Sequence, residues 1–422
     1  MHKHYINKLL DLKDEDIIIK DISIERGTKY IKLELPVKEH VCPHCGCLTK
    51  RVHDYRERKI KHQFDLGYKV ILLYKRRRYL CKDCHKRFPE DNQFVRKYHK
   101  ISNYTKQLII KEYTYKQSVS DVGRHLNISF HTVMRHIKKH IHPRRQSLPE
   151  VLSIDEFKNL SHGYGKYAFL MTDPVNKKVI DVFPNRRKNN LEYYFSHIDK
   201  EERDKVKYVI SDLWDPYRQL VHKYFPKAKL IADKYHFIRQ LYWAVQDVRL
   251  RVMKKYEKGS FEYHYLKKYW KHILAYTYNL STKHFKDYKL GYHITAREII
   301  DKVRHFDSDM KKAIDLKDSF YELMHSTTYQ DASNAIDSFI DNLYQTKLPE
   351  FKIVARTYKN WKAEIINSFI TYDKKQLTNG FIEGLNNKIK VIKRIAFGYR
   401  NFDHFRLRIF ALTHNDLPIT SL

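Results

Sequence analysis

Glycine and proline are scarce, at 11 each in 422 residues. That shortage excludes collagen-like and low-complexity chains and leaves long, uninterrupted secondary structure as the default. Long apolar runs are missing too. No stretch approaches the ~18 residues a membrane-spanning helix needs, and the opening MHKHYINKLLDLKDED contains no apolar core of a secretory signal. Acids are in deficit, with 49 Asp and Glu against 82 Lys and Arg, for a net charge of +33. A chain this basic most often neutralises phosphates, so nucleic acid is the default partner and no membrane is expected. The expected location is cytoplasmic and nucleoid-associated. Some of the charge is discounted, because enrichment in Lys, Ile, Tyr and Asn also follows from A/T-biased coding. At this length about two to four domains are expected.

Cysteine is nearly absent outside one segment: all five lie between positions 42 and 84. A disulfide framework would spread them along the chain, whereas clustering points to metal. They form CPHC (Cys42, Cys45) and CKDC (Cys81, Cys84), with Cys47 left over. Each C-x₂-C pair can aim two thiolates from a tight knuckle at one structural Zn²⁺, provided the intervening chain folds back as a hairpin. The run KVILLYKRRRYL after Gly67 has the apolar and aromatic character of such a strand. His44 and His85 are weaker substitutes as ligands. Within the run, Arg76, Arg77 and Arg78 read either as a phosphate-contacting ribbon or as a solvated strand face.

From Asn103 the apolar period becomes helical, and SVSDVGRHLNISFHTVMRHIKKHI has the layout of a helix-turn-helix. Val119, Val122 and Leu126 point inward from a first helix, and Gly123 permits close approach of the second. Asn127 suits a left-handed turn residue. Ser129 reads as the N-cap of a helix whose Val133, Met134 and Ile137 are internal. His131, Thr132, Arg135 and Lys138, with Phe130, would then face the major groove. HPRRQSLPE, with two prolines, reads as a linker.

Residues 151–236 alternate strands and helices: VLSIDEF, YAFLMTDP, KVIDVFP, helical NLEYYFSHI, KYVISDLW, helical DPYRQLVHKYF and KLIADKYHF. The pattern predicts a mixed α/β sheet. Its order matches a ribonuclease-H-like fold, with one Asp on the first strand and another at the end of the fourth, positions held by Asp155 and Asp212. Asp173, before a proline, reads as a turn residue. Clustered carboxylates repel one another unless a divalent cation compensates, and two Mg²⁺ ions ~4 Å apart are the usual solution in phosphoryl chemistry. No proline occurs between Pro226 and Pro349, so this stretch reads as a mostly helical insertion. Its Trp243 and Trp270 could stack on an unpaired base, although core packing is the simpler role. Near the C-terminus, TNGFIEGLNNKIKVIKRIAFGYRNF places Ile382, Leu385, Ile389, Ile392 and Ala396 on one helical face. Glu383, Asn387, Lys390 and Arg394 fall on a neighbouring polar stripe, which in isolation is merely a solvated face.

Taken in order, the two knuckles, the helix-turn-helix, SIDEF, SDLWDPYRQLVHKYFPKAKLIADKYHF and NGFIEGLNNKIKVIKRIAFGYRNF resemble the DDE transposases of the ISL3 insertion-sequence family. The resemblance covers nearly the whole chain. It implies a ribonuclease-H-like core with a catalytic triad of Asp155, Asp212 and Glu383 binding Mg²⁺ or Mn²⁺, interrupted by an all-α insertion. Asp233, in DKYH, matches a further family motif and is a secondary candidate. The resemblance also implies binding of double-stranded DNA at terminal inverted repeats and at a target, by a homo-oligomer, with cleavage followed by strand transfer. Lys390 and Arg394, beyond Asn387, would contact phosphates beside the site. The expected segments are 1–98 (zinc knuckles in a β region), 99–146 (helix-turn-helix), 147–238 (core, first part), 239–370 (helical insertion) and 371–422 (core with the Glu helix). Two alternatives are a non-catalytic DNA-binding regulator, which leaves 151–422 without a purpose, and a ribonuclease-H-like nuclease without strand transfer.

Overall fold

The computed structural model describes residues 10, 17–64, 67–115, 117–141, 145–160, 163–289 and 291–413. The chain divides into two compact units: one takes residues up to Arg144 together with those from Lys388 onward, and the other is Arg145–Asn387.

The first unit begins with a sheet of β1 (Ile18–Glu25), β2 (Thr28–Glu34), β3 (Val52–Lys61) and β4 (Lys69–Leu80), in the order β1-β2-β4-β3, with β5 (Arg87–Pro89) also paired to β4. Along β4 the side chains alternate between buried Val70, Leu72 and Tyr74 and more exposed neighbours, the period-two signature of a sheet with one packed face. β3 and β4 are antiparallel and form the long hairpin that brings the two cysteine knuckles together.

Three helices follow: α1 (Asn103–Tyr113), α2 (Val119–His125) and α3 (Phe130–His140). Ser118 and Asp121 form a reciprocal capping box on α2, and the Ser129 hydroxyl caps α3 by accepting from the Thr132 N–H. Asn127 takes the left-handed turn position at φ +53°. Any Cβ on Gly123 would lie 2.8 Å from the Ile128 carbonyl oxygen, so only glycine allows this approach. Val122, Leu126, Val133, Met134 and Ile137 form the small core. Leu407 and Ala411 of the C-terminal helix Phe402–Thr413 enter the same core, and buried Arg408 of that helix donates to the carbonyls of Tyr113, Tyr115 and Gln117.

The second unit is built on a mixed sheet of β6 (Val151–Lys158), β7 (Tyr167–Asp173), β8 (Lys178–Phe183), β9 (Tyr208–Ser211) and β10 (Lys229–Ala232), in the order β8-β7-β6-β9-β10. β6, β7 and β8 pair antiparallel, whereas β9 runs parallel to both β6 and β10. The short apolar runs YVIS and KLIA are buried on both faces, as parallel strands with crossover helices require. Helices α4 (Lys188–Ser196) and α5 (Asp215–Tyr224) supply those crossovers. Asp173 is a turn residue: its Oδ1 accepts from the N–H groups of Val175 and Asn176, both at 2.9 Å.

After β10 the chain is almost entirely helical, from α6 (Lys234–Met253) through Ala296–Phe306, Ser308–Ser326, Ala332–Gln345 and Pro349–Asn360, with small hairpins at 285–294 and 371–376. Apolar side chains of these helices join those of the sheet in one continuous core. Trp243 and Trp270 do not enter it: they are 55% and 41% exposed, which corrects the expectation that they pack internally. No helix among the described residues is long and apolar enough to cross a membrane.

Candidate active site and metal centre

Strand register determines how the acids come together. Ile210 of β9 lies opposite Ser153 of β6, so counting on two residues sets Asp212 beside Asp155. Ser211 lies opposite Ala232 of β10, which sets Asp233 beside Asp212. Asp212 and Asp233 thus follow the carboxyl ends of β9 and β10, the end at which open α/β sheets bind ligands, and Asp155 lies level with them within β6, just past its last pairing with β9. Asp233 also begins α6, and its own N–H donates to the Ser211 carbonyl at 2.8 Å.

The fourth acid arrives on helix α7 (Gly380–Ile395). Ile382, Leu385, Ile389 and Ile392 are buried, while Glu383 in the first turn is exposed. Two contacts hold the start of this helix to β6. Ser153 Oγ donates to Asn379 Oδ1, and Asn386 Nδ2 donates to Asp155 Oδ2 at 2.8 Å. The polar stripe read from the sequence includes Asn387 rather than Asn386. The signal for Asn386 is its position three residues beyond Glu383, since i and i+3 share a face.

The electrostatics mark this group as unusual. Burial first, and the neighbouring charges of Glu156 and Asp233, push the Asp155 carboxyl up to about 7. Asp212 is likewise pushed up to about 7, by burial and then by Glu156, Asp155 and Asp233. Asp233 rises to about 6, through burial and the charge of Glu383. Oδ1 of Asp212 and Oδ2 of Asp233 are buried without a hydrogen-bond donor. Asp233 Oδ2 has the His236 ring 3.6 Å away, beyond hydrogen-bond reach, and crowded carboxylate oxygens of this kind are hard donors that suit a divalent cation. Glu156, which no sequence pattern distinguishes, is answered internally by Arg186 and by the Tyr217 hydroxyl at 3.2 Å. It adds negative potential to the cluster from the adjacent position on β6.

A second centre lies in the first unit. The sulfurs of Cys42, Cys45, Cys81 and Cys84 all lie within 4.8 Å of one another. Cys42 and Cys84 are 3.6 Å apart and Cys45 and Cys81 3.5 Å, far beyond a ~2.05 Å disulfide bond. These spacings approach the edge, roughly 3.8 Å, of a tetrahedron with Zn–S bonds of ~2.3 Å. The knuckle turn is closed by Gly46 N–H donating to the Cys42 carbonyl at 2.9 Å. The Cys45 thiol is lowered to about 6 by the Cys47 backbone N–H and by the Cys81 thiol, which favours the thiolate that a metal needs. Among the described residues this cluster takes neither Cys47 nor a histidine.

The remaining predicted residues are dispersed. Arg77 is 4% exposed and meets Glu90 and Glu34, so its guanidinium is not offered to solvent. Arg78 pairs with Asp54, and Arg76 donates to the Glu90 carbonyl. His131, Arg135 and Lys138 are exposed on α3, with Thr132 half-buried. Asn387, Lys390 and Arg394 are exposed along α7. On α6, Arg239 lies over the rings of Tyr235 at 5.0 Å and exposed Trp243 at 4.7 Å.

The chain thus carries a four-thiol knuckle pair and an α/β unit with acids gathered across its parallel strands, and comparison with known families places it among the transposases. A model described as "Transposase", that of the ISL3-type DDE group, matches residues 152–409, and the chain belongs to this ISL3 family. A second model, "zinc-finger of transposase IS204/IS1001/IS1096/IS1165", matches residues 38–84 and so contains all four clustered cysteines. The chain is 23% identical over 389 residues to the "Transposase for insertion sequence element IS1001" of Bordetella parapertussis, covering 91% of each protein. It is also 28% identical over 126 residues to an "ATP-dependent protease" of Lactococcus lactis subsp. lactis, covering 30% of this chain and 37% of that protein.

Proposed function

We propose that the protein binds the terminal inverted repeats of an insertion sequence and that Asp155, Asp212 and Glu383 catalyse metal-dependent cleavage and strand transfer there. The observation that carries this reading is the alignment of Asp155, Asp212 and Asp233 across adjacent strands, with burial-raised carboxyls and, on Asp212 and Asp233, a buried oxygen without a hydrogen-bond donor. The order β8-β7-β6-β9-β10 supports a ribonuclease-H-like core, in which Asp155 takes the first-strand place and Asp212 the fourth. Asp233 completes the acidic group as a further ligand or as the residue that orients one.

Divalent cations held there, Mg²⁺ or Mn²⁺, would supply charge neutralisation and Lewis acidity at a phosphodiester. The chain's own groups do the positioning. Asn386 fixes Oδ2 of Asp155 by donating to it. Exposed Glu383, on a helix held by Ser153 and Asn379, can approach without unfolding the core. Hydrolysis at the element's end would leave a 3′-hydroxyl, which then attacks target DNA in a second in-line displacement. Neither step needs a nucleophilic side chain.

DNA recognition is assigned to the helix-turn-helix reading of α2 and α3, with His131, Thr132, Arg135 and Lys138 toward the major groove. The four cysteines hold one structural Zn²⁺. Lys390 and Arg394 continue the Glu383 stripe toward phosphates, and exposed Trp243 beside Arg239 offers a ring for an unpaired base. The active complex is a homo-oligomer on paired ends.

The test incubates protein and Mg²⁺ with labelled duplex bearing an end of the element, comparing wild type with Glu383→Gln and Asp155→Asn. Wild type should cut and join, and both variants should lose cutting by several orders of magnitude while still binding the duplex. Equal cutting by the variants removes the triad assignment. Cutting without joined product indicates the nuclease alternative.

A further inference from the structure

In the first unit a cavity of about 590 Å³ opens between the end of β3, the segment 96–101, α1 and α3. Its size falls in the range of small-ligand sites, ~300–1,000 Å³. Its walls carry Lys61, Arg96, Lys100, Lys106, Arg135 and Lys139, joined by three histidines over an isoleucine floor, and no carboxylate is among the described residues lining it. Several buried or half-buried cations elsewhere are paired with acids, Arg77 with Glu90, Arg251 with Glu350 and Asp309, Lys317 with Asp318, while buried Arg249 and Arg408 each donate to backbone carbonyls. Here like charges gather instead.

Lys106 shows the imbalance best. It is 6% exposed, and its ammonium meets the neutral amide oxygen of Asn103 at 3.3 Å. Burial, then Arg96 and Lys139, pull it down to about 8. Nε2 of His136 is buried without a hydrogen-bond partner, and burial, then His140, Lys106 and Lys139, pull that ring down to about 4. His99 is lowered by burial and by Lys106, Lys139, Arg96 and Arg58. Gathering cations without a counter-charge costs stability, and a bound anion removes that cost.

The cavity is also held in shape. The Lys61 N–H donates to the Lys100 carbonyl at 2.9 Å, and the Ser102 N–H returns to the Lys61 carbonyl at 3.0 Å. Lys61 Nζ reaches the Asn127 carbonyl at 2.9 Å, tying β3 to the turn before α3. A site with this many cations on a fixed frame suits a polyvalent anion rather than a single carboxylate.

We propose that this cavity is a phosphate-binding site, occupied by phosphates of the DNA backbone or of a free phosphorylated ligand. The inference does not rest on the carboxylate cluster, which belongs to the other unit.

The test uses the full zinc-loaded chain in Mg²⁺-free buffer, with inorganic pyrophosphate and a short DNA duplex as probes. Calorimetry should find saturable pyrophosphate binding, weakened at least about tenfold by combining Lys100→Ala with Lys139→Ala, both of which are exposed. Lys106→Met should weaken it further, and Lys311→Ala, on another surface, should leave it unchanged. If the duplex competes with pyrophosphate, and the double variant lowers the salt slope of duplex binding by ~0.9 for each phosphate it no longer neutralises, the occupant is the DNA backbone. Pyrophosphate binding without competition identifies a free phosphorylated ligand. No pyrophosphate binding, together with identical duplex salt slopes in wild type and variants, overturns the proposal even where duplex binding itself persists.

Discussion

Asp155, proposed above as a metal ligand, is held in place by a residue that carries no charge. Asn386 Nδ2 donates to one of its oxygens at 2.8 Å, and so connects the first strand to the helix that presents Glu383. Residues that orient ligands in this way affect metal affinity by about 10–100-fold. Asn386→Ala is therefore expected to weaken Mg²⁺ activation of cleavage by that factor, with the maximal rate at saturating Mg²⁺ largely retained. A titration of rate against Mg²⁺ concentration checks this; unchanged half-saturation would leave Asn386 with a packing role only. Spacing from Glu383 offers both asparagines, Asn386 at i+3 and Asn387 at i+4, and does not choose between them. Successive helical residues differ by about 100° in direction, and only the docked helix decides between Asn386 and Asn387. The arginines of KRRRY present the same difficulty. Their acceptors, Asp54, Glu34 and Glu90, lie elsewhere along the chain, so a local charge run could not reveal that Arg77 is internal.

Among the elements, the parallel trio β6, β9 and β10 concentrates the acids. The carboxyls of Asp155 and Asp212 sit at about 7 and that of Asp233 at about 6, all above the ordinary value near 3.8. A raised folded-state value means that the protonated forms stabilise the fold fully below about pH 4, and that this stability is lost as pH rises through about 6 to 7. Above that range the cluster is anionic and self-repelling until a cation enters. Mg²⁺ is therefore expected to raise the melting temperature at about pH 8 and to have little effect at about pH 5. A Mg²⁺ effect of equal size at both pH values would contradict the assignment.

The cysteine knuckles were fully legible, because a C-x₂-C turn is local and β3 and β4 are joined as a hairpin. About one zinc per chain is expected by elemental analysis, lost when Cys42→Ser and Cys81→Ser are combined; zinc-free fresh wild type would refute the site. The turn chemistry of Gly123 and Asn127 was legible for the same local reason. The fate of Trp243 and Trp270 was not, since helical period alone does not say which face a partner covers. Packing of Leu407 and Ala411 against α1 and α3 joins segments nearly 300 residues apart, and no local pattern encodes it.

For the molecule as a whole, a charge of +33 is apportioned rather than spread evenly. Many cations are consumed by internal acids, whereas the cavity beside α3 concentrates others where a polyanion can reach them. The family match over residues 152–409 takes in nearly all of the second unit and the C-terminal segment of the first. One claim is central: Asp155, Asp212 and Asp233, with Glu383, form a divalent-cation site. Iron-directed cleavage of the polypeptide measures this most directly. Fe²⁺ replaces Mg²⁺, and ascorbate with peroxide then cuts the backbone close to the bound ion. Cuts are predicted near positions 155, 212, 233 and 383, suppressed by excess Mg²⁺ and lost in Asp155→Asn with Asp212→Asn. Cuts elsewhere in residues 145–387, or cuts at these four positions that excess Mg²⁺ leaves unchanged, would contradict it.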